Sequence, residues 1–218
     1  MKNLFKYASE HWKALLAIVA ILIVQAYCDL SLPAYTSDIV NVGIQQGGVE
    51  DQIPDAISEE DMETLLLFTS EKDGATVLSE YEKDDKTYEE NAYVLKDAVK
   101  EDGDKRTELS SILSGPMMMA AGLDSGSEMT AEIEEQLKAQ LPPEMASEDM
   151  TVLEIMKMMP QEQREMLVSE MEKQTEELPD TIIEQAAVSY VKGAYTDLGI
   201  DMDGLQFRYL FATGAKMI

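Results

Sequence analysis

The chain has little of the chemistry that most enzymes and metal proteins use. Its 218 residues include one cysteine and one histidine. This scarcity argues against a disulfide framework, a zinc site of His and Cys ligands, and most catalytic triads built on histidine. Basic residues are also few, since 17 Lys and Arg stand against 43 Asp and Glu. Phosphate binding needs Lys and Arg gathered on one face, so we expect no nucleic-acid partner.

Metal and cofactor sites are equally poorly supported. Fifteen methionines could suit Cu(I), but most of them stand at helical spacings beside Leu and Ile, where Met fills gaps in a core. The acidic runs at 102–104 and 201–204 lack the ligand order and terminal Glu of a calcium loop. We therefore predict no metal, no cofactor and no catalytic residue in this chain.

What the chain does contain is an apolar run near its start. Residues 14–28 are 15 uncharged residues that include eight Leu, Ile or Val. As a helix they cover about 22 Å, less than the roughly 30 Å hydrocarbon core of a bilayer. Residues 30–37 are again uncharged and lengthen the run. The run lacks the polar position every three or four residues that an amphipathic core helix shows, so it predicts a retained transmembrane helix.

A cleaved or lipidated signal segment is the main alternative. A secretory signal has a similar basic start and apolar middle, but no convincing A-x-A cleavage site follows. A bacterial lipoprotein signal needs a small residue before its cysteine, and Tyr27 precedes Cys28. Both departures favour the retained helix.

The distribution of charge predicts the orientation of that helix. Lys2, Lys6 and Lys13 outnumber Glu10 in residues 1–28, whereas the other 190 residues hold 14 basic and 42 acidic side chains. By the positive-inside rule the N-terminus stays in the cytoplasm and the acidic bulk lies outside the cell.

The residues after the apolar run predict a succession of short helices. Ser58 with Asp61, and Ser70 with Asp73, have the spacing of helix N-caps. Residues 81–104 are polar and irregular, with a short strand as one alternative. Gly115 and Pro116 are expected to kink or divide the next helix. Further helices are predicted at 130–141, 151–159 and 161–174, and from Pro179 to a stop at Gly199.

Four stretches together resemble the start of a bacterial ATP-binding cassette exporter subunit. They are MKNLFKYASEHWKALL, DLSLPAYTSDIVNVGIQQG, DAISEEDMETLLLF and YTDLGIDMDGLQFRYLFATGAKMI, and they extend over nearly the whole chain. The resemblance is to multidrug-type members of Firmicutes that carry an extracellular insertion between their first two transmembrane helices. None of the four stretches is a catalytic motif.

The resemblance implies an all-α fold and an incomplete transmembrane domain. It implies an interfacial elbow at 1–13, transmembrane helix 1 with its outward extension at 14–44, an acidic helical extracellular insertion at 45–200, and the start of transmembrane helix 2 at 201–218. It also implies that Gln25 and Asp29, polar positions late in the first span, are candidates for the translocation pathway. Gln25 has a more ordinary alternative, a hydrogen bond to a neighbouring helix, and Asp29 has another, an interfacial acid that reaches water.

The function implied is ATP-driven export across the bacterial plasma membrane, with this chain contributing a pathway helix and an external cap. No G-x-x-x-x-G-K-[ST] occurs in the sequence, so ATP and Mg²⁺ would bind in a nucleotide-binding domain outside this chain. The expected partners are the membrane, the remaining helices and that domain, and a second half-transporter in a heterodimer. The chain is therefore expected to be an N-terminal piece, not an enzyme by itself. The alternative is a surface protein, anchored by one helix or a lipid, with an acidic helical binding module.

Overall fold

The computed structural model is mostly helical, with 75% helix and 6% strand. It describes residues 11–88, 90–124, 135, 138, 150–176 and 178–217. The elbow predicted at 1–13 and the helix predicted at 130–141 lie mostly outside the described residues. The all-α prediction holds for most of the chain but omits a small sheet.

The described elements follow one another along the chain in this order: α1 (Trp12–Asp38), a π-helical segment (Ile39–Gln45), β1 (Ala56–Ser58), α2 (Glu59–Leu67), α3 (Glu71–Glu80), β2 (Tyr81–Asp84), β3 (Ala92–Leu95), α4 (Asp97–Lys100), α5 (Gly103–Asp124), α6 (Val152–Met158), α7 (Gln161–Glu176), α8 (Asp180–Asp197) and α9 (Met202–Lys216).

The chain divides into two compact units. The terminal unit consists of Met1–Gly48 and Asp203–Ile218, and the central unit consists of Val49–Met202. Both ends of the sequence thus belong to one unit, and the central unit is inserted between them.

The terminal unit contains the one described helix that is long and apolar enough to cross a membrane. That helix runs from Trp12 to Gln45, 34 residues with a mean hydropathy of 2.2 in its most apolar stretch, none of which is buried. Length and composition alone carry this finding, and a signal sequence near an N-terminus has the same properties. The helix is continuous because α1 passes directly into the π-helical segment at Ile39.

The central unit contains a three-stranded antiparallel sheet in the order β1-β3-β2. Ala56 pairs with Val94 in one ladder, and Tyr81 pairs with Leu95 in the other. These strands are three or four residues long. β2 and β3 lie within residues 81–104, where a short strand was one of the alternatives predicted from the sequence. β1 was not predicted, because three residues are too few to show a periodicity.

The core of the central unit lies between this sheet and the surrounding helices. α8 packs along α5, and α2 packs against both α5 and the sheet. The fully buried side chains are aliphatic, aromatic and methionine groups, among them Ile57, Leu65, Phe68, Met117, Ile155 and Met156. Met62, Met117 and Met156 fill this core, as their helical spacings predict.

The helix starts predicted from local sequence are confirmed at two caps. The Ser58 and Ser70 hydroxyls accept hydrogen bonds from the backbone N–H groups of Asp61 and Asp73. α8 begins directly after Pro179, and Gly199 follows its end with φ of 70°, a left-handed backbone that glycine adopts at low cost. Each of these signals acts within a few residues of the helix end.

Pro116 does not divide the helix that contains it. α5 continues from Gly103 to Asp124 with Pro116 inside it. A proline removes one hydrogen bond from a helix interior, but Leu113 and Met117 on either side of this turn are 1% and 0% exposed. Burial of these neighbours holds the helix together across the missing hydrogen bond.

Candidate functional site

The two predicted pathway residues lie on one face of α1. Gln25 and Asp29 are four residues apart, a spacing that places side chains one above the other on a helix. Both are exposed. Neither makes a side-chain hydrogen bond or ion pair with any residue in the described part of the chain. The polar face therefore has no partner within the described residues of the terminal unit.

The backbone of α1 changes beside these residues. Pro33 lies inside α1, and because it has no N–H it cannot donate the hydrogen bond that the Asp29 carbonyl oxygen accepts in a regular helix. One turn later the Thr36 hydroxyl donates to the Leu32 carbonyl at 2.8 Å. The polarity of Gln25 and Asp29 indicates this face from the sequence, and Pro33, four residues after Asp29, is a further signal that the predictions above did not include.

The π-helical segment and α9 are in close contact within the terminal unit. The Gln206 amide Nε2 donates to the Gly43 carbonyl at 2.7 Å. A Cβ atom added to Gly43 would lie 2.4 Å from Leu210 Cδ2, closer than two carbon atoms can approach. Glycine at this position thus permits α9 to pack against the π-helical segment.

The same unit contains large apolar side chains that are mostly exposed. On α9, the rings of Phe207 and Phe211 stack with centroids 6.2 Å apart and are 68% and 70% exposed. On α1, Ile21 and Leu30 are 65% and 79% exposed. An apolar surface of this extent is typical of an interaction with lipid or with another apolar protein surface.

A polar network fixes the first residues of the central unit. The Arg106 guanidinium donates to both carboxylate oxygens of Asp51, from Nε and Nη2 at 2.8 Å each, and Nη1 lies 3.4 Å from Asp55 Oδ1. The Asp55 backbone N–H donates to the Tyr195 hydroxyl at 2.7 Å. Residues 51–55 are thereby attached to both α5 and α8.

Burial determines the proton chemistry of this network. The Tyr81 hydroxyl donates to the Pro54 carbonyl at 2.9 Å in the same segment. Burial raises the pKa of the Tyr195 and Tyr81 hydroxyls, with nearby negative charge adding to the effect. Burial alone would lower the pKa of Arg106, but the hydrogen bonds and negative charges of Asp51 and Asp55 together outweigh burial and raise it. Both tyrosines therefore stay protonated and Arg106 stays charged, which suits a structural network better than acid-base catalysis.

A second feature of the central unit is a surface cleft of about 480 Å³ between the α2–α3 connection and α7. Its apolar lining comes from Leu66, Ala75, Leu78 and Val168. The Gln161 amide, which also lines the cleft, donates to Glu71 Oε2 and Glu165 Oε1, each at 3.1 Å. Each of these carboxylates thus accepts one hydrogen bond within the protein.

Within the residues that the structure describes, no group of three or more His, Cys, Asp and Glu side chains is placed to hold a metal ion. No protein-family model, no curated protein and no solved structure matches this chain. The features that bear on function are therefore the exposed apolar helix α1 and the polar face that Gln25 and Asp29 form on it.

Proposed function

We propose that this chain is the N-terminal part of the transmembrane domain of a bacterial ATP-binding cassette exporter. In this proposal α1 crosses the plasma membrane with its N-terminus in the cytoplasm, and the central unit lies outside the cell. One observation carries the proposal. The apolar helix α1, whose most apolar stretch contains no buried residue, belongs to a unit that is formed by both ends of the chain.

The inserted arrangement supports an exporter more than a simple anchor. An anchored surface module needs only one helix beside its folded domain. Here the chain returns from the central unit into α9, which contacts the segment after α1 through Gln206 and Gly43. The exposed Phe207 and Phe211 extend the apolar surface onto that returning helix. A long apolar helix and a neighbouring helix with exposed phenylalanine rings, connected by a folded insertion, agree with the arrangement that the exporter resemblance implies.

The length of the helix argues against a cleaved signal segment, since the apolar region of a signal has about 7–15 residues and this helix has 34. Removal of the residues up to Cys28 would leave the π-helical segment and α9 without the rest of the long helix. A helix that is apolar on all sides is stable in lipid, where each backbone polar group is satisfied within the helix. If α1 is retained, the apolar surface of the terminal unit therefore faces lipid instead of water.

The roles within this proposal follow from the two units. α1 forms one wall of the pathway, and the central unit caps its external mouth. ATP binding and hydrolysis belong to a nucleotide-binding domain outside this chain, and a second half-transporter completes the dimer. The chain itself supplies helices and surfaces, without a catalytic group.

Cysteine labelling in intact cells tests the topology. Cys28 is replaced by serine, and single cysteines are introduced as Lys2→Cys and Glu101→Cys. A membrane-impermeant maleimide is expected to label position 101 in intact cells and position 2 only after permeabilisation. Labelling of position 2 but not of position 101 in intact cells would reverse the orientation.

The DNA downstream of the coding sequence distinguishes the exporter from the surface-protein alternative. Further apolar helices and a phosphate-binding loop in an open or frameshifted continuation are expected for the exporter. A stop codon followed by an unrelated gene would instead favour the anchored binding module, with the cleft beside α7 as its candidate binding surface.

A further inference from the structure

We propose that the surface cleft beside α7 binds a free α-amino acid with a large apolar side chain. All residues that line this cleft belong to the central unit. The inference therefore depends neither on α1 crossing a membrane nor on export. It adds a binding site with a stated ligand class to the proposed function.

The first argument is the size and lining of the cleft. Its volume of about 480 Å³ is within the range of roughly 300–1,000 Å³ that small-molecule sites occupy. Apolar side chains line it from both sides, with Leu66 and Leu78 before and within α3 and Val168 on α7. Leu78 is 38% exposed, so an apolar group bound in the cleft would remove part of its surface from water.

The second argument is the approach of two carboxylates in the cleft. Glu71 begins α3 and Glu165 lies in α7, but both accept a hydrogen bond from the same Gln161 nitrogen at 3.1 Å. The two accepting oxygens are therefore no farther apart than twice that distance. The group that joins them is neutral, and neither carboxylate forms an ion pair with a residue that the structure describes. An ammonium group between the carboxylates would reduce their mutual repulsion.

The third argument is a positive charge on the same wall of the cleft. Arg164 lines the cleft and is half-buried, and its guanidinium makes no hydrogen bond or ion pair with any residue in the described ranges. A guanidinium binds a carboxylate through two parallel hydrogen bonds. Arg164 and Glu165 are consecutive, with Cα atoms about 3.8 Å apart. Opposite charges at neighbouring positions match an α-amino acid, whose ammonium and carboxylate groups are bonded to one carbon.

A zwitterion pairs with all the charged groups of the cleft, whereas simpler ligands do not. A ligand with only a positive charge would leave Arg164 without a partner. A ligand with only a negative charge would leave the two glutamates facing each other. Ca²⁺ requires six to eight oxygen ligands, more than two carboxylates supply. The apolar lining then contacts the side chain of the amino acid.

Analogues of L-phenylalanine that lack one charge test the proposal on the unmodified chain. Binding of radiolabelled L-phenylalanine to the full chain in detergent is measured by equilibrium dialysis, with protein-free micelles as the blank, and saturable binding is expected. L-phenylalaninamide lacks the carboxylate, and N-acetyl-L-phenylalanine lacks the ammonium group. Each should compete at least about tenfold more weakly than L-phenylalanine, the range for loss of a charge-assisted interaction. Glycine, which lacks the apolar side chain, should also compete at least about tenfold more weakly.

Arg164→Met and Glu165→Gln test the same two charges in the protein. Each is expected to weaken binding of L-phenylalanine at least about tenfold. Arg164→Met should not weaken competition by L-phenylalaninamide, because this analogue has no carboxylate to lose. Lys173→Met and Glu162→Gln are the matched controls, since they remove charges from the same helix outside the cleft. Both should leave binding within about twofold of the unmodified chain.

Absence of saturable L-phenylalanine binding would overturn the inference, as would equal competition by L-phenylalanine and either single-charge analogue. Equal losses in the cleft variants and in their controls would also overturn it. The membrane assignment is tested separately by flotation of the chain with vesicles. That outcome does not depend on whether L-phenylalanine binds, so failure of one proposal leaves the other standing.

Discussion

Arg106 connects residues 51–55 of the central unit to α5 through its guanidinium group. Its side chain is 21% exposed and that of Asp51 is 34% exposed, so the ion pair is partly shielded from water. Replacement by methionine would keep much of the apolar stem but leave Asp51 without its bidentate partner. We expect Arg106→Met to lower the free energy of unfolding by about 2 kcal/mol, the usual range for a hydrogen bond to a charged group. Urea unfolding of the full chain in detergent, followed by far-UV circular dichroism, measures this change.

Lys100 provides a matched control for Arg106. It pairs with Asp97 at 3.0 Å, but the Asp97 side chain is 98% exposed. Exposed pairs typically contribute less than about 1 kcal/mol. Lys100→Met should therefore change the urea midpoint much less than Arg106→Met does. Equal effects would mean that the Arg106 network does not secure residues 51–55.

Asp61 is expected to make the stability of the central unit depend on pH. Burial raises the pKa of this carboxyl group, and the charges of Asp197 and Glu60 add to the increase, although hydrogen bonds from Ser58 and Tyr190 oppose it. A carboxyl whose pKa is higher in the folded state favours folding most when it is protonated. This contribution is present below the unfolded pKa of about 4 and is lost as pH rises through the folded value.

Asp61→Asn removes that titration and isolates its contribution. The variant should gain stability relative to the unmodified chain as pH rises from about 3 to 7, because only the unmodified chain then acquires the buried charge. Urea midpoints of both proteins across this range give the difference. A difference that stays constant with pH would show that Asp61 titrates normally in the folded protein.

The Leu210 side chain occupies the space where a side chain at Gly43 would lie, so a bulky residue at Gly43 would have to displace it. A Cβ there would meet Leu210 at 2.4 Å, and a valine would add two further methyl groups to the same space. We expect Gly43→Val to separate α9 from the π-helical segment and to speed hydrogen exchange across residues 202–217 at least about tenfold. Exchange measured by mass spectrometry on the chain in detergent checks this.

Gly214 is the matched control on the opposing helix. Nothing lies within 4 Å of a Cβ added there, and residues with a side chain are generally better helix formers than glycine. Gly214→Val should leave exchange in α9 unchanged or slower. If exchange in α9 of this variant were as fast as in Gly43→Val, the effect would come from the valine residue itself and not from the contact with Leu210.

At the scale of elements, the sequence predicts features that are encoded within a few residues. Ser58 and Ser70 cap helices whose first-turn acids stand three positions later, and Gly199 ends α8 where its left-handed backbone is needed. The pairing of β1 with β3 joins residues 56–58 to residues 92–94, and Arg106 reaches Asp51 across 55 positions. Such contacts depend on the folded arrangement of distant segments, which spacing in the sequence does not encode.

The candidate site shows the same division between local and distant information. Gln25, Asp29 and Pro33 can be identified from polarity and a spacing of four residues on one helix. The contact of Gly43 with Leu210 cannot, since it depends on how α9 returns to the terminal unit. The sequence thus allows the polar face to be predicted, but it does not allow the contact between Gly43 and Leu210 to be predicted.

At the scale of the whole molecule, the two units differ in the solvent that suits their surfaces. α1 has no buried residue, so water would face a continuous apolar surface. The central unit has its own core of aliphatic, aromatic and methionine side chains and a sheet whose three strands all lie between Val49 and Met202. The units therefore differ in the solvent that their surfaces favour, which agrees with the proposal that α1 crosses a membrane.

Separate expression of residues 49–202 tests whether the central unit folds without the apolar helices. We expect the fragment to be soluble and to give a mostly helical far-UV circular dichroism spectrum, because its buried core and its sheet lie within those limits. It should also unfold cooperatively in urea, as single domains of this size generally do. Val191→Asp, which places a charge at a position that is 0% exposed, should abolish that transition, whereas Lys192→Asp at the neighbouring exposed position should preserve it. A spectrum of largely unordered chain from the unmodified fragment would mean that the central unit needs the terminal unit to fold and is not an independent insertion.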